Sequence, residues 1–168
     1  LVAALNGAST EELSRCNGSR RWVEAMVAAR PFTSRTHLLG EAERLWWRLD
    51  ETDWREAFSH HPRIGDDVAK LREKFGSTAS WAAGEQAGVA AAGEATIQSL
   101  AAGNRAYEAR FGHIFIVCAS GLTAEEMLSR LTLRMDNTPA NELRIAAGEQ
   151  AKITRLRLEK LAATAAVP

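Results

Sequence analysis

Helix-opening and helix-ending signals recur along this chain, while β-branched and aromatic residues rarely alternate with polar ones. That pairing points to an all-α fold. Ser9-Thr10-Glu11-Glu12 predicts a short helix that stops near Asn17-Gly18, and Ser19 opens a second that Pro31 must end. A third is expected from about Arg35 to Leu49, carrying Leu38, Leu39, Leu45, Trp46 and Leu49. A short fourth starts at Thr52 or Asp53 and runs out before His61-Pro62, because a residue preceding proline is pushed away from the helical region. A small helix over Asp67 to Phe75 and a long one over Thr78 to Arg110 follow, the latter ended by Gly112. Thr123-Ala-Glu-Glu126 is another capping box, for a helix through about Met135, and Pro139 takes the first position of a last helix reaching Leu161. Its stripe of Leu143, Ala147, Ala151, Thr154, Leu158 and Leu161 gives one face to the core. The apolar run 113–119 is too short for periodicity to separate a buried helical turn from an extended segment. No repeat and no polar linker divides the chain, so the expectation is a single compact domain over residues 1–168 with about eight helices.

With 168 residues, 46% of them hydrophobic, a full core can be buried without metal or disulfide support. The 21 basic and 21 acidic residues cancel, so no overall field exists to hold a nucleic-acid backbone or an anionic membrane. Neither is expected as a partner. Of the two cysteines, Cys118 lies in an apolar run and reads as a buried, inert thiol; a disulfide scaffold is excluded and a reducing compartment favoured. The sequence as given has no charged leader and no apolar stretch near the ~18 residues of a membrane span, which makes the cytoplasm the expected location.

Three side chains fit a purely structural role poorly. Glu85 has Trp81, Ala82, Gly88 and Val89 as helical neighbours, and from Ala79 to Gly93 the polar side chains are Ser80, Glu85 and Gln86. Such a carboxylate and amide either keep an alanine-rich helix soluble or face a pocket. Arg157 has Ile153, Thr154, Lys160 and Leu161 beside it and no acid, whereas Arg155 has Glu159 four residues on. Arg157 either lies over the apolar stripe or offers its planar fork of donors to a ligand's oxygens. His61, fixed before a proline, is either an exposed loop histidine or a general base. His60 reads as the former, and His37 and His113 lack partners of catalytic type.

Other chemistries find no support. The chain has no His-Glu-x-x-His, no cysteine pair at zinc spacing, no phosphate loop, no dinucleotide fingerprint and no nucleophile elbow. Lys152, Arg155, Arg157 and Lys160 form a small basic cluster broken by leucines, weak grounds for a helical DNA reader. A helical interaction protein without catalysis is the other alternative; it requires Glu85 and Arg157 to be exposed and apart.

Four blocks in order carry a resemblance over essentially the whole chain: His61-Pro62-Arg63-Ile64-Gly65; Glu85-Gln86-Ala87-Gly88-Val89; Tyr107-Glu108-x-x-Phe111-Gly112-x-x-Phe115-Ile116-x-Cys118-Ala119-x-Gly121; and Lys152-Ile153 with Arg157-Leu158. Together they resemble the 2-oxo-4-hydroxy-4-carboxy-5-ureidoimidazoline (OHCU) decarboxylases of urate degradation. The resemblance implies an all-helical, cofactor-free homodimer that converts OHCU to (S)-allantoin and carbon dioxide; no metal is expected, since ligand spacing is absent. By the same resemblance His61 and Glu85 are catalytic. Pro62, Gln86, Arg157 and the run Phe115, Ile116, Val117, Cys118 and Ala119 contact substrate, the run through backbone groups. The family commonly has serine three residues before the glutamate, where this chain has Ala82; Ser80 falls on another helical face.

Overall fold

A computed structural model describes residues 2–63, 68, 69, 73 and 86–164. Among them the regular elements are eight α-helices: α1 (Val2–Gly7), α2 (Thr10–Cys16), α3 (Arg20–Ala28), α4 (Arg35–Trp47), α5 (Glu51–Ser59), α6 (Gln86–Phe111), α7 (Ala124–Arg134) and α8 (Pro139–Thr164). The chain is all-α. Three of the caps are those the sequence announces: Ser9 and Thr123 close full capping boxes with Glu12 and Glu126, and the Ser19 hydroxyl accepts from Trp22 N–H. Helix α5 begins one or two residues earlier than expected, at Glu51, because Asp50 is its cap and accepts from the N–H groups of Thr52 and Asp53. Helix α1 carries no opening signal and was not expected; buried Leu5 anchors it. The small helix expected over 67–75 and the first turns of the long helix, 78–85, lie outside the described residues but for 68, 69 and 73.

The chain separates into two units, residues 1–61 with 143–168 and residues 62–142. In the first, α3 packs against α2, α4 and α5. Three buried tryptophans lock it: the indole N–H of Trp22 donates to Ala42 O (3.0 Å), that of Trp46 to Ala147 O (2.9 Å) and that of Trp54 to Trp46 O (3.2 Å). Each ring thereby buries its apolar body and satisfies its polar tip. The expected stripe of α8 is inside at Leu143, Ala147, Thr154 and Leu158 and half-buried at Ala151 and Leu161.

The turn after α2 sits against the end of α5. A Cβ on Gly18 would come within 2.5 Å of Cγ and 2.6 Å of Cβ of His60. The second of these atoms moves only with its backbone, so Gly18→Ala must displace the residue that precedes His61. We expect a loss of about 1–3 kcal/mol from such overpacking. Gly40→Ala, inside α4 with open space at its Cβ, should instead gain about 0.5–1 kcal/mol. Urea unfolding midpoints at unchanged slope test both, and a Gly18→Ala protein as stable as Gly40→Ala would contradict the contact.

In the second unit α6 packs against α7, and the core comprises Ile97, Leu100, Ala101, Tyr107, Phe111, Phe115, Val117, Met127 and Leu131. Gly112 ends α6 at φ 73°, its N–H bonded to Glu108 O at 2.9 Å, a left-handed residue where glycine carries no steric penalty. The run 113–119 then proceeds without helical structure, with Phe115, Ile116 and Val117 all buried. Of the two readings left open for it, the structure excludes the buried helical turn.

Candidate active site

Histidine 61 directly follows the last turn of α5. His60 caps that helix, and the His61 N–H donates to Phe58 O at 3.1 Å, which fixes the backbone of the half-buried imidazole. Its Nε2 lies 2.5 Å from Oε1 of Gln150 on α8. Gln150 is fully buried, and its amide nitrogen donates to Thr154 Oγ1 (3.1 Å), which also accepts from Asn17 Nδ2 (3.2 Å). Burial is the main force holding the His61 pKa below its ordinary value; the Arg157 and His60 charges push the same way and the Gln150 hydrogen bond opposes them. A neutral imidazole at neutral pH is the result, able to take a proton.

Arg157 lies seven residues after Gln150, two turns along the same face of α8. Half-buried, it has no carboxylate partner among the described residues; its Nη1 donates to Arg15 O at 3.2 Å, in the last turn of α2. An unsatisfied helix C-terminus, with its partial negative charge, is the counter-group that the spacing of α8 could not supply. The cations around it are neutralised in the ordinary way, Lys152 by Glu149 at 2.5 Å and Arg155 by Glu159 at 3.8 Å. The basic cluster is therefore not a free charged stripe.

Cys16 faces the same region. Burial pushes its thiol up to about 11 although Arg157 acts to lower it, so it stays protonated and is no nucleophile. The buried, inert cysteine is thus Cys16; Cys118, expected to be buried, is half-exposed because it follows the last fully inward residue of its run, Val117.

The remaining candidates belong to the other unit. Pro62 is exposed and Arg63 Nη2 bonds Glu108 at 2.7 Å. The run Phe115, Ile116, Val117, Cys118 and Ala119 is held by Arg134, whose Nη1 donates to Ile116 O at 2.7 Å and whose guanidinium lies 4.5 Å from the centre of the Phe115 ring. Arg134 in turn pairs with the wholly buried Glu142 at 2.5 Å, and Glu142 also accepts from Tyr107 Oη and from Asn137 Nδ2 (2.9 Å). Burial and the carboxylate raise the Tyr107 pKa, keeping its hydroxyl a donor. Gln86 opens α6, and Glu85 and Ala82 lie outside the described residues. Of the expected site residues, then, His61 and Arg157 are brought into one neighbourhood and 115–119 into one buttressed segment.

Sequence reasoning passed over Gln150, Thr154 and Asn17, and also Arg134 and Glu142. The first three are neutral side chains without a motif; the second pair is eight residues apart across a helix boundary, a spacing with no periodic meaning. A cavity of about 340 Å³ in the first unit, walled by Leu39, Trp46, Trp47 and Arg155, does not include His61 in its lining. No helix of the described residues is long and apolar enough to cross a membrane.

A family model described as OHCU decarboxylase matches residues 3–159. The chain belongs to the OHCU decarboxylase family. It is 41% identical over 154 residues to a uric acid degradation bifunctional protein of Arabidopsis thaliana, covering 90% of this chain and 46% of that protein. To a 2-oxo-4-hydroxy-4-carboxy-5-ureidoimidazoline decarboxylase of Amia calva it is 43% identical over 58 residues, 34% of this chain and 33% of that one. It thus spans less than half the length of these curated relatives. Among solved structures it is similar to an OHCU decarboxylase crystallised in the presence of (S)-allantoin, with TM-score 0.73 and 38% identity over 92% of this chain and 98% of the other. An (S)-allantoin synthase shares the fold at TM-score 0.66 and 18% identity, over 95% of this chain and 53% of that one.

Proposed function

We propose that this member of the family decarboxylates OHCU to (S)-allantoin and carbon dioxide without a cofactor, with His61 as general base. The observation that carries the reading is a neutral, half-buried imidazole backed by a buried amide and lying within the field of Arg157, in a chain whose family match runs through residues 3–159. The substrate's chemistry asks for little more. The carbon that bears the carboxylate also bears a hydroxyl and adjoins a ring carbon–nitrogen double bond. As the bond to the carboxylate breaks, its electron pair moves into that double bond, carbon dioxide leaves and the ring nitrogen takes a proton. Loss of the hydroxyl proton and protonation of the neighbouring carbon then give the ring carbonyl of allantoin, with one proton consumed overall. The substrate is its own electron sink.

In this reading His61 takes or orients the hydroxyl proton, and Glu85 and Gln86 hold the ureido and ring nitrogens. Pro62 and the backbone of 115–119 complete the contacts. Arg157 should bind the ring carbonyl or share the carboxylate loosely. A tight pair with the departing carboxylate would stabilise the ground state and slow the step, since only interactions stronger in the transition state accelerate it. The family resemblance extends the proposal to a homodimer, which light scattering tests; the proposed location is the cytoplasm, on the reducing compartment favoured by a chain with two cysteines and no disulfide scaffold.

To test the activity, the labile substrate is generated in place from urate with urate oxidase and hydroxyisourate hydrolase. Its ultraviolet decay and the circular dichroism of the product are followed with and without the protein. Accelerated decay to (S)-allantoin is expected; spontaneous decay to racemate beside folded protein would overturn the proposal. The pH profile follows from the sign of the His61 shift. A base must be unprotonated, and with its pKa below the ordinary 6.5 it already is at neutrality. We therefore expect kcat/KM to be flat from pH 7 to 8 and to fall only on the acid side of 6.5; an acid limb centred above pH 7 would contradict the burial of the ring.

A further inference from the structure

We infer that Gln150, backed by Thr154 and Asn17, is a positioning residue that keeps the His61 proton on Nε2 and so leaves Nδ1 as the nitrogen that accepts the substrate's proton. The inference rests on the reading of His61 as the base and adds to it which nitrogen works and what decides it.

One amide of this network cannot be turned around. The backbone N–H of Ser19 donates to Asn17 Oδ1 at 3.0 Å, so the amide nitrogen of Asn17 faces the other way, toward Thr154 Oγ1 at 3.2 Å. Gln150 Nε2 brings a second N–H to the same oxygen at 3.1 Å, which fills the two lone pairs of the hydroxyl. With its nitrogen committed there, Gln150 presents Oε1 to His61 Nε2. An amide oxygen only accepts, so Nε2 must carry the hydrogen, and a neutral imidazole has only one. Nδ1 is then the acceptor nitrogen, and among the described residues nothing donates to it. Asn17 and Gln150 are fully buried and Thr154 is 4% exposed, so water does not compete for these bonds, and leaving any of them unmade is costly. The opposite wiring is the competing state. In it Thr154 O–H donates to the Gln150 oxygen, the amide N–H points into Nε2, and the proton moves to Nδ1, which would make His61 a donor rather than a base.

Long-range proton–nitrogen NMR of residues 1–168 labelled with ¹⁵N-histidine distinguishes the two directly. The sequence has four histidines, His37, His60, His61 and His113, and the spectrum of His61→Asn assigns the one that matters. The expected wild-type pattern is a pyrrole-like Nε2 and a pyridine-like Nδ1. In Gln150→Met, which keeps the volume but offers no strong acceptor, the two nitrogens should average toward each other. There kcat should fall roughly 10- to 100-fold, by analogy with the loss of a hydrogen-bond partner that orients a metal-ligating histidine, with KM nearly unchanged. Gln150→Glu covers the case in which the methionine variant does not fold. Its carboxylate still accepts from Nε2 and should keep the tautomer, while its charge, acting against those of Arg157 and His60, should move the acid limb of the rate profile up by a pH unit or more. A protonated Nδ1 in the wild type, an unaltered tautomer in Gln150→Met, or a Gln150→Glu profile that does not move would each overturn the inference. The tautomer is read without turnover. A chain that fails to accelerate OHCU decay but shows the expected pattern would refute the proposed activity and leave the wiring of His61 standing.

Discussion

His61→Asn should lower kcat/KM for OHCU by about 10²–10⁴-fold, the contribution general acid–base catalysis typically makes, while the far-ultraviolet spectrum stays helical. Asparagine is too short to reach Gln150 across the present 2.5 Å contact and has no group that titrates near neutrality. The substitution also strands the buried Gln150 oxygen, which should cost about 1–3 kcal/mol of stability; rates must therefore be compared well below the variant's melting range. The diagnostic is the shape of what remains. With the base gone, residual turnover should lose its acid limb and run flat with pH, and the product should drift toward racemate as the uncatalysed route takes over. Near-normal turnover, or a surviving limb below pH 6.5, would assign the proton transfer to another group.

The elements were legible because their ends are chemically marked. Ser9, Ser19, Thr123 and Pro139 announce helices that the structure starts one residue later or at the proline itself, since capping is a local matter of one side chain and the next three N–H groups. Helix α1 has no such mark and owes its existence to burial of Leu5, which no local pattern reveals. The site was legible to a different degree. Arg157 stands out as a cation with no acid beside it on its helix and His61 as an imidazole fixed before a proline, and the partners of both are non-local: Gln150 lies 89 residues from His61, and Arg15 lies 142 from Arg157. A residue's lack of a neighbour can be read from a sequence; the neighbour it finds in the fold cannot. Cys118 shows the same limit in reverse, since apolar neighbours in sequence put Val117 inside and leave Cys118 half-exposed.

The other large effect concerns stability. Glu142→Ala should lower it by about 3–5 kcal/mol, the range for removing one partner of a buried ion pair. Glu142 is wholly buried and serves Arg134, Tyr107 and Asn137 together, so its loss leaves Arg134, a residue only 9% exposed, without its counter-charge and a buried phenol without its acceptor. For a chain of this size a midpoint drop on the order of 10 °C follows. The double variant Arg134→Met, Glu142→Ala should recover part of it, because no charge is then left buried, and the two single losses should fail to add. Arg134 has a second task, the bond to Ile116 O, which fixes the backbone of the proposed substrate-binding run. The double variant should thus regain stability without regaining substrate affinity, its KM staying raised while kcat at saturation changes little. Calorimetry and saturation kinetics on the two variants separate these effects. A Glu142→Ala midpoint within a degree or two of the wild type would show that the cluster is not a source of stability, and an unchanged KM in the double variant would free the 115–119 backbone from dependence on Arg134.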